Sequence, residues 1–181
     1  MEMKLLLHAC CAPCSIKCVE SLKNENIEPS IFWYNPNIHP LKEHMERRLA
    51  LQELCRTEEL NFINHGKYGL REFLYEIDSD YYDKEARCEY CYKKRLFGAA
   101  RFAGEQGYSH FSTTLLISPY QNHELIAKIG CEAENLYGVK FLYHDFRPLF
   151  REGQECARNR GIYMQKYCGC IFSEEERYSK K

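Results

Sequence analysis

Apolar positions along the chain fall into five short runs separated by longer stretches of helical spacing. The first, Leu5-Leu6-Leu7, is continuous and leads into Ala9-Cys10-Cys11-Ala12-Pro13-Cys14. A short apolar run closed by a turn signal reads as a buried strand, here about 3–9. Ile31-Phe32-Trp33-Tyr34, Phe62-Ile63-Asn64, His110-Phe111-Ser112-Thr113-Thr114 and Lys140-Phe141-Leu142-Tyr143 predict four more. Helices are expected between them over roughly 13–25, 41–60, 87–106 and 122–136, with helical character again at about 154–165. Leucines at 41, 49, 51, 54 and 60 make the second of these amphipathic. Pro13 suits a first helical turn, where its missing N–H is no loss. Asn122 or Ser118 could cap the helix at 122–136, and Gly107 and Gly138 suit C-caps. Residues 66–83 mix signals: Leu70, Phe73, Leu74 and Ile77 fit a helix, and 78–83 a loop. Asn35 to Pro40 and Leu115 to Gln121 read as loops. From about Ser173 the chain is charged and expected to fray. Strands alternating with helices of a dozen residues imply βαβ units, hence an α/β fold with a mostly parallel sheet. One domain over 1–181 is expected at this length.

Charge adds little at the global level: 25 Lys and Arg against 26 Asp and Glu leave a formal net charge of -1. No overall basic field points to nucleic acid, although charge can be segregated on one face. Lys93, Lys94 and Arg95, with Arg87 and Arg101, make one helix basic. Arg147, Arg151, Arg158, Arg160 and Lys166 do the same later on. Such faces could hold RNA phosphates or simply be solvated. No apolar stretch reaches bilayer-spanning length and the N-terminus lacks a signal-peptide pattern, so a cytoplasmic protein without a membrane partner is expected.

Cysteine changes the picture most. There are eleven, an odd number, and seven fall into three groups: Cys10-Cys11-x-x-Cys14, Cys88-x-x-Cys91 and Cys168-x-Cys170. In a reducing compartment grouped cysteines bind metal or do redox chemistry more often than they form disulfides. The first group falls at a strand end and a helix N-terminus, where free N–H groups and the helix dipole favour thiolates. Ligands of open α/β sheets also sit at that edge. One tetrahedral zinc needs four thiolates. Seven match a four-cysteine iron–sulfur cluster plus a second metal with about three ligands. Structural zinc, or inert buried thiols, remain alternatives, since zinc and iron share thiolate ligands. The C-x3-C-x2-C pattern of radical S-adenosylmethionine enzymes is absent. Cys18 could face the site from the next helical turn; Cys55, Cys131 and Cys156 read as small buried apolar residues. His8 reads as a core histidine or a ligand-orienting one. Ser112-Thr113-Thr114 and residues 118–123 supply hydroxyls and amides at the same sheet edge. Tyr163-Met164-Gln165-Lys166-Tyr167 mixes groups able to stack and hydrogen-bond a nucleobase.

Four motifs carry a resemblance. Leu-Leu-His-Ala-Cys-Cys-Ala-Pro-Cys-Ser (6–15), Arg-Cys-x-x-Cys-Tyr-x-x-Arg-Leu (87–96), Ser-Thr-Thr-Leu-Leu-Ile-Ser-Pro-Tyr-Gln (112–121) and Tyr-Met-Gln-Lys-Tyr-Cys-Gly-Cys-Ile-Phe-Ser (163–173) together resemble the QueH family of epoxyqueuosine reductases. The resemblance implies reduction of epoxyqueuosine to queuosine at the tRNA wobble position, the last step of queuosine biosynthesis. It also implies a 4Fe-4S cluster beside a mononuclear iron, an external electron donor, and independence of cobalamin. It places Cys10, Cys11, Cys14, Cys88, Cys91, Cys168 and Cys170 at metal-ligand positions, with Cys11, Cys88, Cys91 and Cys168 expected on the cluster. Some relatives carry Asp at position 14. The expected architecture is a Rossmann-like, HUP-type single domain with strand order near 3-2-1-4-5. Two alternatives are an iron–sulfur tRNA sulfurtransferase and a non-enzymatic zinc-stabilised RNA-binding module. The first predicts a Ser-Gly-Gly-x-Asp-Ser loop after strand one, where this chain has cysteines.

Overall fold

The computed structural model describes residues 3–77 and 83–179. Five strands, β1 (Leu5–His8), β2 (Pro29–Trp33), β3 (Phe62–Asn64), β4 (His110–Thr113) and β5 (Lys140–Phe141), form one sheet in the order β3-β2-β1-β4-β5. Every pairing is parallel, with Leu7 of β1 opposite Ile31 on one side and Ser112 on the other. The order agrees with the expected one. All four residues of β1 are buried. Strands of a parallel sheet are covered on both faces, which is why β1 reads as a continuous apolar run instead of an alternating one.

Among the described residues seven α-helices complete the fold: α1 (Ala12–Asn24), α2 (Leu41–Thr57), α3 (Leu70–Ile77), α4 (Lys84–Glu105), α5 (His123–Tyr137), α6 (Phe150–Asn159) and α7 (Ile171–Tyr178). Helix α1 packs on α2 and α6, and α4 packs on α5, β1 and β4. Phe32, Trp33, Phe111, Phe146 and Leu5 to Leu7 are fully buried in the core between them, with Cys18 and Cys55. Two helices come close enough to neighbouring rings to require glycine. A Cβ on Gly98 would lie 2.3 Å from the Tyr34 ring, and one on Gly130 would lie 2.3 Å from that of Phe141. No helix among the described residues is long and apolar enough to cross a membrane.

The boundaries depart clearly from expectation at four places. Helix α4 begins at Lys84 because the Asp83 side chain accepts from the Glu85 N–H and caps it. Residues 114–117 are a buried 3-10 turn capped by Thr113, not a loop. Helix α6 starts at Phe150, after a 3-10 turn at Arg147–Leu149, and ends at Asn159; Gly161, with φ +64°, turns the chain away. Leu70–Ile77 is helical, as its spacing allows. The charged end, expected to fray, carries helix α7. Of the loop expected over 78–83, Asp83 is the cap of α4 and the rest lies outside the described residues.

The chain leaves β1 for β2 and β3 on one side, then returns to build β4 and β5 on the other. The carboxyl ends of β1 and β4 therefore flank the point where strand order reverses. A crevice opens there in sheets of this kind, because neighbouring connections leave in opposite directions.

Candidate metal centre

Strand β1 ends at His8, and Cys10 and Cys11 follow at this reversal point. Cys11 is the extended N-cap of α1 and makes no side-chain cap, so its sulfur is free to point into the site. Its carbonyl accepts from the Ser15 hydroxyl at 2.8 Å, which ties the first turn to the cap. Cys14 lies in that first turn. The sulfurs of Cys10, Cys11 and Cys14 are buried and lie within 4.8 Å of one another, with 3.9 Å between the first two. A tetrahedral ion with metal–sulfur bonds of about 2.3 Å spaces its thiolates about 3.8 Å apart. The triad is thus close to the spacing of one ion. Hydrogen bonds from Cys11 and Cys14 hold the Cys10 thiol well below the usual thiol range. Burial pushes Cys11 up, and the bond to Cys10 pushes Cys14 up. A bound cation would displace the thiol protons. Gln165 donates through Nε2 to Cys11 Sγ at 3.0 Å, while its buried Oε1 has no partner.

The other two groups meet beside the triad. A cavity of about 330 Å³ is lined by Cys88, Cys91, Cys168 and Cys170. A second, of about 320 Å³, is lined by Cys10, Cys14, Thr114 and Cys168. Cys168 belongs to both, as do Tyr120, Gln121, Lys166 and Tyr167. The four sulfurs of the first cavity are not drawn into the tight spacing of the triad. Burial raises the Cys88 thiol, and it raises Cys91 to about 12. All seven sulfurs picked out by spacing thus line, or lie beside, two cavities that share a wall.

Two arginines hold this arrangement; Arg47 does not stand out in the sequence, and Arg95 stands out only as a motif position on a basic helix. Arg47 of α2, 1 % exposed, donates to the carbonyls of Cys168 and Tyr167 at 2.8 and 2.9 Å. It also pairs with Glu43 at 2.6 Å. The loop carrying the last two cysteines is thereby fixed to a helix some 120 residues earlier. The i, i+4 placement of Glu43 and Arg47 was the available signal, but it equally describes a solvated pair. Arg95, read as part of a basic surface, is instead 2 % exposed and donates to Cys91 Sγ at 2.9 Å. Its neighbours are paired at the surface: Lys93 with Glu89, Lys94 with Glu76 and Arg101 with Glu105. Arg147 and Arg160 likewise pair with Asp145 and Glu58.

Other candidates sort as follows. His8 is a core histidine: Nδ1 lies 2.9 Å from Thr113 Oγ1, and Nε2 lies 3.2 Å from Asn35 Oδ1. Burial, assisted by the Arg95 charge, holds it neutral down to about 4. Thr114 accepts from the Cys10 N–H at 3.4 Å. Asn122 caps α5, and Gln121 accepts from the Tyr92 hydroxyl at 2.8 Å. Tyr120 stands 84 % exposed at the rim shared by the cavities. The hydroxyls of Tyr163 and Tyr167 are engaged with Glu43 and with the His39 carbonyl, so both rings brace the loop. Cys131, read as buried, is exposed, and Cys156 is half-buried.

The sequence model of the family described as Epoxyqueuosine reductase QueH matches residues 5–176. A protein of that name from Dehalococcoides mccartyi is 36 % identical, over 99 % of this chain and 97 % of its own. One from Thermotoga maritima is 38 % identical, over 97 % of this chain and 93 % of its own. Among solved structures, one described as a predicted subunit of tRNA methyltransferase from Methanocaldococcus jannaschii superposes with a TM-score of 0.53. It covers 97 % of this chain and 93 % of its own at 13 % identity, a likeness of fold.

Proposed function

Because the chain belongs to the QueH family of epoxyqueuosine reductases, we propose that it reduces epoxyqueuosine in tRNA to queuosine. The observation that carries the reading is the convergence of seven thiols from three distant segments on two cavities with a common wall. Cys88, Cys91, Cys168 and Cys170 would hold a 4Fe-4S cluster, and Cys10, Cys11 and Cys14 a mononuclear iron. Sequence reasoning assigned Cys11 to the cluster in place of Cys170. The grouping of Cys11 with Cys10 and Cys14, and its contact with Gln165, support the present division.

Loss of an epoxide oxygen as water needs two electrons and two protons and leaves an alkene. When bound, the two centres supply single electrons from an external donor and a Lewis acid for the oxygen. The protein's own work is to place and to shield. Arg47 holds the Cys168–Cys170 loop, and Gln165 and Thr114 orient the triad. Tyr120 and Lys166 stand where an unstacked anticodon base would enter, and an exposed aromatic ring is a natural stacking surface for it.

Anaerobic reconstitution tests the reading. About five irons per chain are expected for one four-iron cluster plus one ion. Incubation of the reduced protein with epoxyqueuosine-containing tRNA should yield queuosine by mass spectrometry. Cys10→Ala and Cys170→Ala should abolish turnover, and Cys131→Ala should not. One or two zincs per chain, no colour and no queuosine would favour the zinc-stabilised RNA-binding module.

A further inference from the structure

Arg95 is a buried guanidinium with no carboxylate among the described residues to pair with it. Its Nε donates to the Cys91 carbonyl at 3.2 Å and one terminal nitrogen donates to Cys91 Sγ at 2.9 Å. The charges that act on it are the thiols of Cys91, Cys10 and Cys168 and the phenol of Tyr92. Arg47, equally buried, differs: Glu43 neutralises it at 2.6 Å. A cation left unpaired in the interior is strongly unfavourable. Only ionised sulfur can balance Arg95 here, and sulfur is fully ionised when it ligates metal.

We propose that Arg95 is a positioning residue that biases the neighbouring centre toward its more reduced, more negative state. The proposal rests on the iron–sulfur reading above. Adding one electron from an external one-electron reductant makes the thiolate-bound centre one charge more negative. A fixed cation close by in a low-dielectric site stabilises that state over the oxidised one, and so does a hydrogen bond to a ligating sulfur. Arg95 supplies both, through the ligand Cys91.

The test is an anaerobic dithionite titration of loaded protein, followed by electron paramagnetic resonance, with no tRNA present. Arg95→Gln should shift the reduction equilibrium at least tenfold toward the oxidised form, 59 mV for one electron. Arg95→Lys, which keeps the charge but loses the fork, should shift it less. A fully loaded Arg95→Gln protein with the wild-type potential would overturn the proposal and leave the function intact. A wild-type protein that takes up no iron would overturn the cluster reading, and this proposal with it. If the neutral variants do not load, melts of the metal-free protein decide. Arg95→Met should melt at or above wild type, because an unbalanced charge has gone. A lower midpoint assigns Arg95 to packing and overturns the tuning role.

Discussion

Replacing Arg47 by alanine removes three contacts at once from a residue that is 1 % exposed. It leaves the Glu43 carboxylate, itself buried, without its partner at 2.6 Å. It also strips donors from the carbonyls of Cys168 and Tyr167. Breaking a buried ion pair by deleting one member costs about 3–5 kcal/mol, more than the pair's net worth, because the surviving charge is stranded. At roughly 2–4 °C per kcal/mol for a chain of this size, the midpoint should fall by about 6–20 °C. Urea melts of metal-free protein give the free energy directly. The double variant Glu43→Gln, Arg47→Met should recover part of the loss, since no buried charge is left unpaired. A single-variant loss below about 1 kcal/mol would refute the reasoning. So would a double variant no more stable than Arg47→Ala. Iron uptake gives the functional arm: the freed loop should bind cluster more weakly even where the fold survives.

Three further outcomes are expected. Gly130→Val should destabilise by about 2 kcal/mol or more, because its first carbon would lie 2.3 Å from the Phe141 ring; a stability equal to wild type would contradict the close packing of α5. Burial holds His39 and His44 neutral down to about 4, with the Arg48 charge adding to it at His44 and the His44 charge adding at His39. Between pH 6.5 and 4 the unfolded chain therefore binds protons that the folded one refuses. Stability should fall there with decreasing pH, by at most about 1.4 kcal/mol per unit for each ring, in urea melts at pH 7, 5.5 and 4.5. Cys91→Ser should remove most of the iron absorbance of reconstituted protein, while Cys131→Ser, at an exposed position, should leave it unchanged. Equal loss from both would show that the chain binds iron through thiols outside the site.

The elements themselves were legible in the sequence. Leu5 to Leu7 read as a strand because the apolar run is short and closed by a turn signal, and the sheet covers it with parallel neighbours on both sides. Asn122 and Gly138 end α5 where a cap and a left-handed residue, φ +69°, are needed. The C-x-x-C and C-x-C spacings picked out sulfurs that the fold brings to two adjoining cavities, because each spacing acts within a turn or two of chain. These are short-range properties, and neighbouring residues suffice to specify them. What the pattern misread were residues whose burial depends on how distant segments pack around them. Arg47 and Arg95 have the sequence character of surface charges. Their burial follows from a loop 120 residues away in one case and from a thiol pocket in the other. Cys131 has the character of a buried residue and is exposed, since only packing decides which face of α5 meets the core. Local pattern alone determined an α/β frame and three groups of cysteines of a kind able to hold metal. The meeting of three cysteine groups, and the cations placed among them, depended on strand order and helix packing, which bring together segments whose separation in sequence carries no trace of their contact.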